Sequence, residues 1–422
     1  MRFAPIALVV LLVAGCLEGS DDGDSGAGPD SDQATDTVRF REPIDLKSKA
    51  RPGAAGTNCQ DSVVDGDCGL GEPTMEVDSR GTIYISGVCC ITVAPPVYVS
   101  RDGGATFQDL PTPAGVREAF GIEGDFAIDD VGRVYFADIE FAATFQVSVW
   151  DADGTFVRHT KWPAPPLVDR DWIRAEGDGT VYYVYNTGTA TNVYKSMDAA
   201  ETWTPTAVFQ APFGLGNAAS GLADGELWIL GGSNSGNVLG EVTRDAGLTW
   251  SEETTTIPSG GGFPAGAFDE GGRLYGVSAS DDTITVAVRS TTGEWATPAI
   301  VSGVGHHRMP WIAAGADGGV VASWYGTNST EIGPGSEWFL HVALSLDAGV
   351  TWTTRIADPI PVLTGDLQRQ LLDFFQVEVG PDGAIHVAYS SLPVGESNEE
   401  QLHYVRSEPI PALAPMKYFN GP

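Results

Sequence analysis

Basic residues are scarce in this chain of 422 residues. Lys and Arg together number 23 against 56 Asp and Glu, which gives a formal net charge of −33 at pH 7. A field of this sign repels nucleic acid and anionic membrane surfaces, so we expect neither as a partner. An anionic ligand would need a local cluster of arginines to overcome this repulsion.

Residues that favour helices are also few. Charged residues make up only 19% of the chain, which contains 53 Gly and 27 Pro. Hydrophobic residues at 42% and aromatic residues at 9% are still enough to fill a large core. This composition favours many short strands joined by turns, and the length suits either two average domains or one large all-β domain.

Motifs of several common enzyme classes do not occur. The chain has no Gly-x4-Gly-Lys, no Gly-x-Ser-x-Gly and no His-Glu-x2-His sequence. These absences argue against an NTPase, an α/β-hydrolase and a zincin. Beyond the N-terminus no stretch has 18 unbroken apolar residues, so no second membrane segment is predicted.

The N-terminus has the pattern of an export signal. The segment MRFAPIALVVLLVAGC has one Arg followed by an apolar run that is too short to span a membrane. Its end resembles a prokaryotic lipobox, in which Cys16 is lipidated and becomes the first mature residue; an ordinary cleaved signal is the alternative. Residues 17–37 contain seven acids and no base or aromatic, which predicts a disordered linker. We therefore expect an extracytoplasmic domain that a lipid anchors to the membrane.

Export places the other cysteines in an oxidising compartment. Four remain after Cys16, and an even number predicts two disulfides. A bond between the adjacent Cys89 and Cys90 would strain the peptide that joins them. We therefore expect Cys59 and Cys68 each to pair with one of those two, with zinc binding as the alternative.

A glycine-containing turn followed by an alternating strand recurs along the chain. Successive turn glycines are 51, 47, 46, 47, 46 and 65 residues apart, and they are Gly81, Gly132, Gly179, Gly225, Gly272, Gly318 and Gly383. A period near 47 matches one four-stranded propeller blade, and the last interval carries an insertion. The sequence therefore predicts an all-β fold, a single propeller of seven blades, with six as the alternative. Residues 38–40 are expected to add the strand that closes the ring.

A second motif follows the first by about 20 residues, as in Ser345-Leu346-Asp347-Ala348-Gly349-Val350-Thr351-Trp352. Further good copies contain Asp102, Asp198 and Asp245, and weaker copies span 150–156 and 290–295. These residues resemble the Asp box of the sialidase superfamily and related BNR-repeat propellers. The resemblance implies a propeller over residues 38–422. It also implies that these four aspartates are structural, because in that family the boxes lie on outer hairpins away from the active face.

Ligands of propellers usually bind where the innermost strands begin, at one mouth of the central channel. Here that position lies about seven to eleven residues before each turn glycine. It contains Glu72, Thr74, Glu123, Asp125, Asp169, Arg170, Trp172, Asn217, Phe263, His306, His307, Arg308, Trp311, Asp373 and Gln376. A mixture of acids, arginines and aromatics suits a sugar, whose rings stack on Trp and whose hydroxyls bond to charged groups.

Three functions are compatible with such a mouth. The leading hypothesis is binding of a glycan or another extracellular ligand through Arg170, Arg308, Trp172, Trp311 and His307, which requires both Trp rings to be exposed. The alternative is a sialidase-like exo-acting glycoside hydrolase that uses two carboxyls about 5–9 Å apart, from Glu72, Glu123, Asp125, Asp169 and Asp373. The third is a scaffold for surface complexes, which predicts a closed mouth and an apolar patch elsewhere.

The sialidase resemblance is incomplete at the residues that would act on substrate. That family uses three arginines, a Tyr nucleophile polarised by Glu, and an acid/base Asp. Here Phe40-Arg41-Glu42-Pro43 departs from the family's Phe-Arg-Ile-Pro, and no Tyr stands at an obvious mouth position. Arg170 and Arg308 are candidates for two of the three arginines.

No cofactor is expected. Adjacent strand residues point to opposite faces, so His306 and His307 are poor candidates to share a metal ion. Asp61, Asp65 and Asp67 lie in a loop that could hold calcium, although solvated loop acids are the simpler interpretation. We expect a monomer.

Overall fold

The computed structural model describes residues 38–46, 71–88, 95–114, 116, 121–140, 144–163, 165, 168–187, 190–210, 215–221, 225–231, 236–260, 263–280, 282–367, 370–371, 373–392 and 401–416. The lipobox with Cys16, the acidic linker, the cysteines at 59, 68, 89 and 90, and the loop acids at 61, 65 and 67 lie outside these residues.

Seven antiparallel four-stranded blades make up the fold, and in blades 1 to 6 the four strands follow in sequence order from the axis outwards. Blade 1 contains β2 Gly71–Val77, β3 Ile83–Val88, β4 Val97–Ser100 and β5 Gln108–Asp109. Blade 2 contains β6 Gly121–Ile128, β7 Val134–Glu140, β8 Thr144–Trp150 and β9 Phe156–Pro163. Blade 3 contains β10 Asp169–Glu176, β11 Thr180–Asn186, β12 Ala190–Ser196 and β13 Thr204–Gln210. Blade 4 contains β14 Leu215–Ser220, β15 Leu227–Gly231, β16 Asn237–Thr243 and β17 Ser251–Pro258.

The remaining blades follow the same plan with two additions. Blade 5 contains β18 Ala265–Phe268, β19 Leu274–Ser280, β20 Thr283–Arg289 and β21 Ala299–Ile300. Blade 6 contains β22 His306–Ala314, β23 Val320–Thr327, β24 Glu337–Ser345 and β25 Thr353–Ile356, and β26 Leu363–Thr364 also pairs with β24. Blade 7 contains β27 Gln376–Val379, β28 Ile385–Ser391, β29 Gln401–Arg406 and, from the N-terminal segment, β1 Ile44–Asp45.

The prediction of seven blades is confirmed. All seven turn glycines of the repeat have a positive φ, between 77° and 85°, a conformation that costs a residue with a side chain more than it costs glycine. The chain closes its ring as expected, although the pairing lies mainly at β1 and not at residues 38–40. Ile44 pairs with Tyr404, and Phe40 forms an isolated bridge to Ser407.

The core lies between neighbouring blades. The second strands are buried on both faces, as in β23 with its continuous apolar and small residues. The largest cluster joins the inner strands of several blades around Trp172, Trp311 and Trp324. A blade buries neither of its faces alone, so stacking in a ring is what removes these faces from water.

The Asp boxes form hydrogen-bonded turns. Asp347 Oδ1 accepts bonds from the Ser345 hydroxyl (2.8 Å) and the Thr351 amide (2.8 Å), and its Oδ2 accepts one from the Thr351 hydroxyl (2.6 Å). Partial burial raises the pKa of Asp347, but these bonds outweigh it and hold the pKa below its usual value. The same pattern occurs at the corresponding aspartates, which are Asp102, Asp198 and Asp245.

No helix in the described ranges is long and apolar enough to cross a membrane.

Candidate functional site

Irregular backbone marks the end of the channel where the inner strands begin. The register shifts near the start of β2, β6, β10, β14 and β22. Three residues there have a positive φ without being glycine, namely Glu72 (43°), Arg170 (59°) and Met309 (53°). Bulges and such strained conformations concentrate at functional sites, so this end, which we call the mouth, is the candidate site.

Arg170 ties three blades together at the mouth. From blade 3 its Nη1 lies 3.4 Å from Glu72 Oε1 of blade 1, and its Nη2 donates to Asp373 Oδ2, which precedes blade 7. The guanidinium also lies over the ring of Phe263, with 4.2 Å from Cζ to the ring centroid. The Arg170 and Glu72 side chains are almost fully buried, and Asp373 is 12% exposed. These charges therefore satisfy one another across the channel.

Asp125 lies at the centre of a second polar network. Its Oδ1 accepts bonds from Thr74 Oγ1 (3.0 Å) and Gln376 Nε2 (3.1 Å). Its Oδ2 accepts bonds from the Ile173 amide (3.1 Å) and Arg174 Nη1 (2.7 Å). Four donors from three other blades thus occupy this buried carboxylate.

The expectation that Trp172 and Trp311 are exposed is wrong. Their exposed fractions are 1% and 2%. The two rings lie 5.4 Å apart, and Phe374 contacts both of them, at 5.1 Å and 5.7 Å between centroids. Phe374 belongs to the insertion before blade 7, so this insertion supplies the ring that covers the tryptophans and fills the channel with apolar side chains.

A more exposed polar group lies on the rim, between blades 5 and 6. Asp282 forms an ion pair with Arg308 Nη1, and its Oδ2 lies 2.9 Å from His306 Nδ1. The side chain of Arg308 is 42% exposed, and the pKa of Asp282 lies below its usual value because the nearby cations outweigh the effect of partial burial. This group, which we call the rim triad, has donors and acceptors within reach of a ligand.

His307 is buried beneath the rim triad. Its Nδ1 accepts a bond from Trp324 Nε1 (3.0 Å), and its Nε2 lies 3.2 Å from the Gly303 carbonyl. Burial lowers the pKa of His307, so the ring is neutral at pH 7. Both ring nitrogens are engaged with the protein itself, unlike a ligand-binding histidine.

Some candidates lie outside what the structure describes. The side chains of Glu123, Asp169 and Asn217 are in this group. Among the described residues, no cluster of three or more His, Cys, Asp or Glu side chains has the arrangement of a metal site.

Asp171 is a buried acid that the sequence did not single out. Burial raises its pKa to about 8, and the charges of Asp138 and Asp125 add to this, although a bond from the Tyr183 hydroxyl (2.8 Å) opposes it. Its Oδ1 is buried and has no hydrogen-bond partner in the described part of the chain. Asp171 therefore carries a proton in the folded protein at neutral pH.

We expect Asp171 to make the free energy of unfolding fall as pH rises from about 4 to 8. In this range the folded state keeps a proton that an unfolded Asp, with a pKa near 3.9, has released, and the slope is at most about 1.4 kcal/mol per pH unit. Asp171→Asn removes the titration, so its stability relative to the parent protein should rise between pH 5 and pH 8 in urea unfolding. A difference that stays constant with pH would contradict this assignment.

Comparisons with known proteins support the fold. No protein-family model and no curated protein matches the chain. The structure of YCF48 bound to D1 peptide is 16% identical, with a TM-score of 0.52, over 90% of this chain and 99% of that one. A protein of unknown function from Dyadobacter fermentans is 12% identical, with a TM-score of 0.50, over 88% and 99%. The NanB sialidase from Streptococcus pneumoniae is 13% identical, with a TM-score of 0.44, over 83% and 70%.

At these identities the likeness is one of fold. The chain is a seven-bladed β-propeller, and a sialidase is among the structures similar to it.

Proposed function

We propose that this chain is a non-catalytic propeller that binds an extracellular glycan at the rim of the mouth, without the buried Trp172 and Trp311. The observation that carries the proposal is the pairing of the mouth carboxylates. Glu72 and Asp373 share Arg170, and Asp125 is bonded to Arg174. A glycosidase needs two carboxyls that both reach the substrate, whereas these three acids are occupied by arginines of the protein itself.

The rim triad supplies the recognition in this proposal. Arg308 donates several N–H groups, and Asp282 accepts, which matches the mixed donors and acceptors of sugar hydroxyls. Met309, which follows Arg308 in the chain, is partly buried and offers apolar surface. The proposal includes the exported, lipid-anchored location and the membership of the sialidase-like, BNR-repeat group that the N-terminus and the Asp boxes predict.

We expect Arg308→Ala to weaken glycan binding about tenfold or more, because a hydrogen bond to a charged group contributes about 1.5–3 kcal/mol. The full chain is first screened on a glycan array, and the best ligand is then titrated by calorimetry against the parent protein and the variant. Arg355→Ala is the matched control, because Arg355 is an exposed strand arginine away from the mouth.

Fluorogenic sialosides and neutral glycosides are assayed in parallel. Turnover that Arg308→Ala abolishes would contradict a non-catalytic role and favour the hydrolase. Glycan binding that is equal in the parent protein and in Arg308→Ala would place the ligand elsewhere and reject the mouth.

A second candidate is binding of a polypeptide, as expected for a scaffold. The observation that favours it is the packing of Trp172 and Trp311 against Phe374, which leaves both Trp rings buried and unable to stack on a sugar. YCF48, which shares the fold, was solved with a D1 peptide. A peptide array beside the glycan array separates the two candidates, and binding of peptides alone would replace the glycan proposal.

A further inference from the structure

A cleft lies at the opposite end of the propeller from the mouth, between blades 4 and 5. Its volume is about 550 Å³, within the range of small-molecule sites. Blade 4 contributes Glu226 and Arg244, and blade 5 contributes Phe268, Glu270 and Arg289. Phe268 is the last residue of β18, which places the cleft where the inner strands end.

The cleft exists because the outer hairpin of blade 5 is short. From the Ser or Thr to the Trp, the Asp box spans eight residues in blades 3, 4 and 6, but only six in blade 5, where the sequence is Ser290-Thr291-Thr292-Gly293-Glu294-Trp295. In the longer boxes a backbone amide of the box turn bonds to the glycine carbonyl of the inner turn; the donors are Ala199, Ala246 and Ala348. These bonds close the space between the two turns.

Blade 5 leaves the same space open. A Cβ placed on Gly272 would find Thr291 Cγ2 nearest, at 3.8 Å, whereas one on the corresponding Gly225 of blade 4 would meet the Ala246 backbone at 2.6 Å. Thr291 and Thr292 of the short hairpin line the opening with hydroxyls and are exposed.

Trp228 and Glu253 hold the two arginines of the cleft in place. Their guanidiniums lie over the buried ring of Trp228, with 4.9 Å from Arg289 Cζ and 5.5 Å from Arg244 Cζ to the ring centroid. Glu253 forms ion pairs with both arginines, at 2.6 Å from Arg244 Nη2 and 3.5 Å from Arg289 Nε. The Nε of Arg289 is buried and makes no hydrogen bond within the described residues.

The side chain of Arg289 points in a different direction from that of its counterpart in blade 3. It directly precedes the box, as Lys195 does in blade 3. Lys195 donates to the Ala246 carbonyl of the following blade (2.8 Å), whereas Arg289 turns back to Trp228 of the preceding one. Arg289 thus lines the cleft, with its buried Nε directed towards Glu253.

The lining defines the class of ligand. Two cations, Arg244 and Arg289, stand against the anions Glu226 and Glu270 of the lining and Glu253 behind it, so these groups carry no excess of positive charge. The whole chain at −33 repels anions. Donors, acceptors and one aromatic side chain without excess positive charge match hydroxyl groups and a C–H face.

We propose that this cleft is a second ligand site, separate from the mouth, that binds a neutral saccharide unit. Arg289 and Arg244 donate to its hydroxyls, Glu226 and Glu270 accept from them, and Phe268 packs against its apolar face.

The test is titration of the full chain with methyl glycosides of glucose, galactose and mannose, followed by saturation-transfer NMR and calorimetry. The expected result is saturable binding of at least one of them, with a Kd at least tenfold weaker in Arg289→Ala. Thr291→Tyr fills the cleft from an exposed position without touching the arginines, and it should weaken binding similarly. Met197→Tyr, at the same box position in blade 3 and also exposed, is the matched control and should change Kd less than twofold.

Two results would overturn the proposal. One is that no neutral glycoside binds, or that an amino acid or an acidic sugar binds in preference. The other is that binding survives in both Arg289→Ala and Thr291→Tyr. If glycoside binding is lost only in Arg308→Ala, the cleft is rejected and the mouth proposal stands. If binding is lost only in Arg289→Ala and Thr291→Tyr, the mouth is rejected as the glycoside site and the cleft stands.

Discussion

Replacing Arg170 with methionine is expected to lower the free energy of unfolding by about 3–5 kcal/mol, because removal of one partner leaves the other charges of a buried network unpaired. Here two carboxylates, on Glu72 and Asp373, would lose the guanidinium they share. Guanidinium chloride unfolding followed by tryptophan fluorescence measures the change.

Arg158→Met is the matched control. Arg158 also bridges two blades, through Glu201 at 2.8 Å, but this pair is exposed and should contribute less than about 1 kcal/mol. If both variants lost equally little stability, the role of Arg170 in joining blades 1, 3 and 7 would be rejected, and its guanidinium would be available to a ligand.

Asp125→Ala is expected to cost a comparable 3–5 kcal/mol. The substitution leaves Arg174 without its carboxylate and also removes the acceptor of Thr74, Gln376 and the Ile173 amide, all inside the ring. Thermal and denaturant unfolding at pH 7 give the change.

Asp347→Ala provides the comparison for Asp125. Asp347 accepts several hydrogen bonds as well, but its hairpin is exposed, so the loss should be about 1 kcal/mol. If Asp125→Ala and Asp347→Ala lowered the free energy of unfolding equally, burial would not be what determines the loss of stability. Retained stability in Asp125→Ala together with lost glycoside turnover would point to a catalytic role for Asp125.

The blade count could be read from the sequence because each blade repeats a local requirement. A turn with positive φ needs glycine at one position, and this requirement marks the chain once per blade, from Gly81 to Gly383. The Asp box is equally local, since Asp347 bonds only to residues within four positions of it.

The mouth could not be read in the same way. Arg170 finds its partners 98 and 203 residues away, and nothing local in the sequence indicates which blades face each other across the channel. Asp171 and Trp172 are adjacent in β10 and both buried, because neighbouring blades cover both faces of the strand. The exposure predicted for Trp172 and Trp311 failed because Phe374, which is distant in sequence from both, packs against both rings.

The closure of the ring by β1 also bears on the order of folding. Ile44 pairs with Tyr404, 360 positions later in the sequence, so the last blade is completed only when both ends of the propeller segment are present. Contacts of such separation form late, because a very long loop must close before they are made. The ring therefore stays open until β29, near the C-terminal end of the propeller, is available to pair with β1.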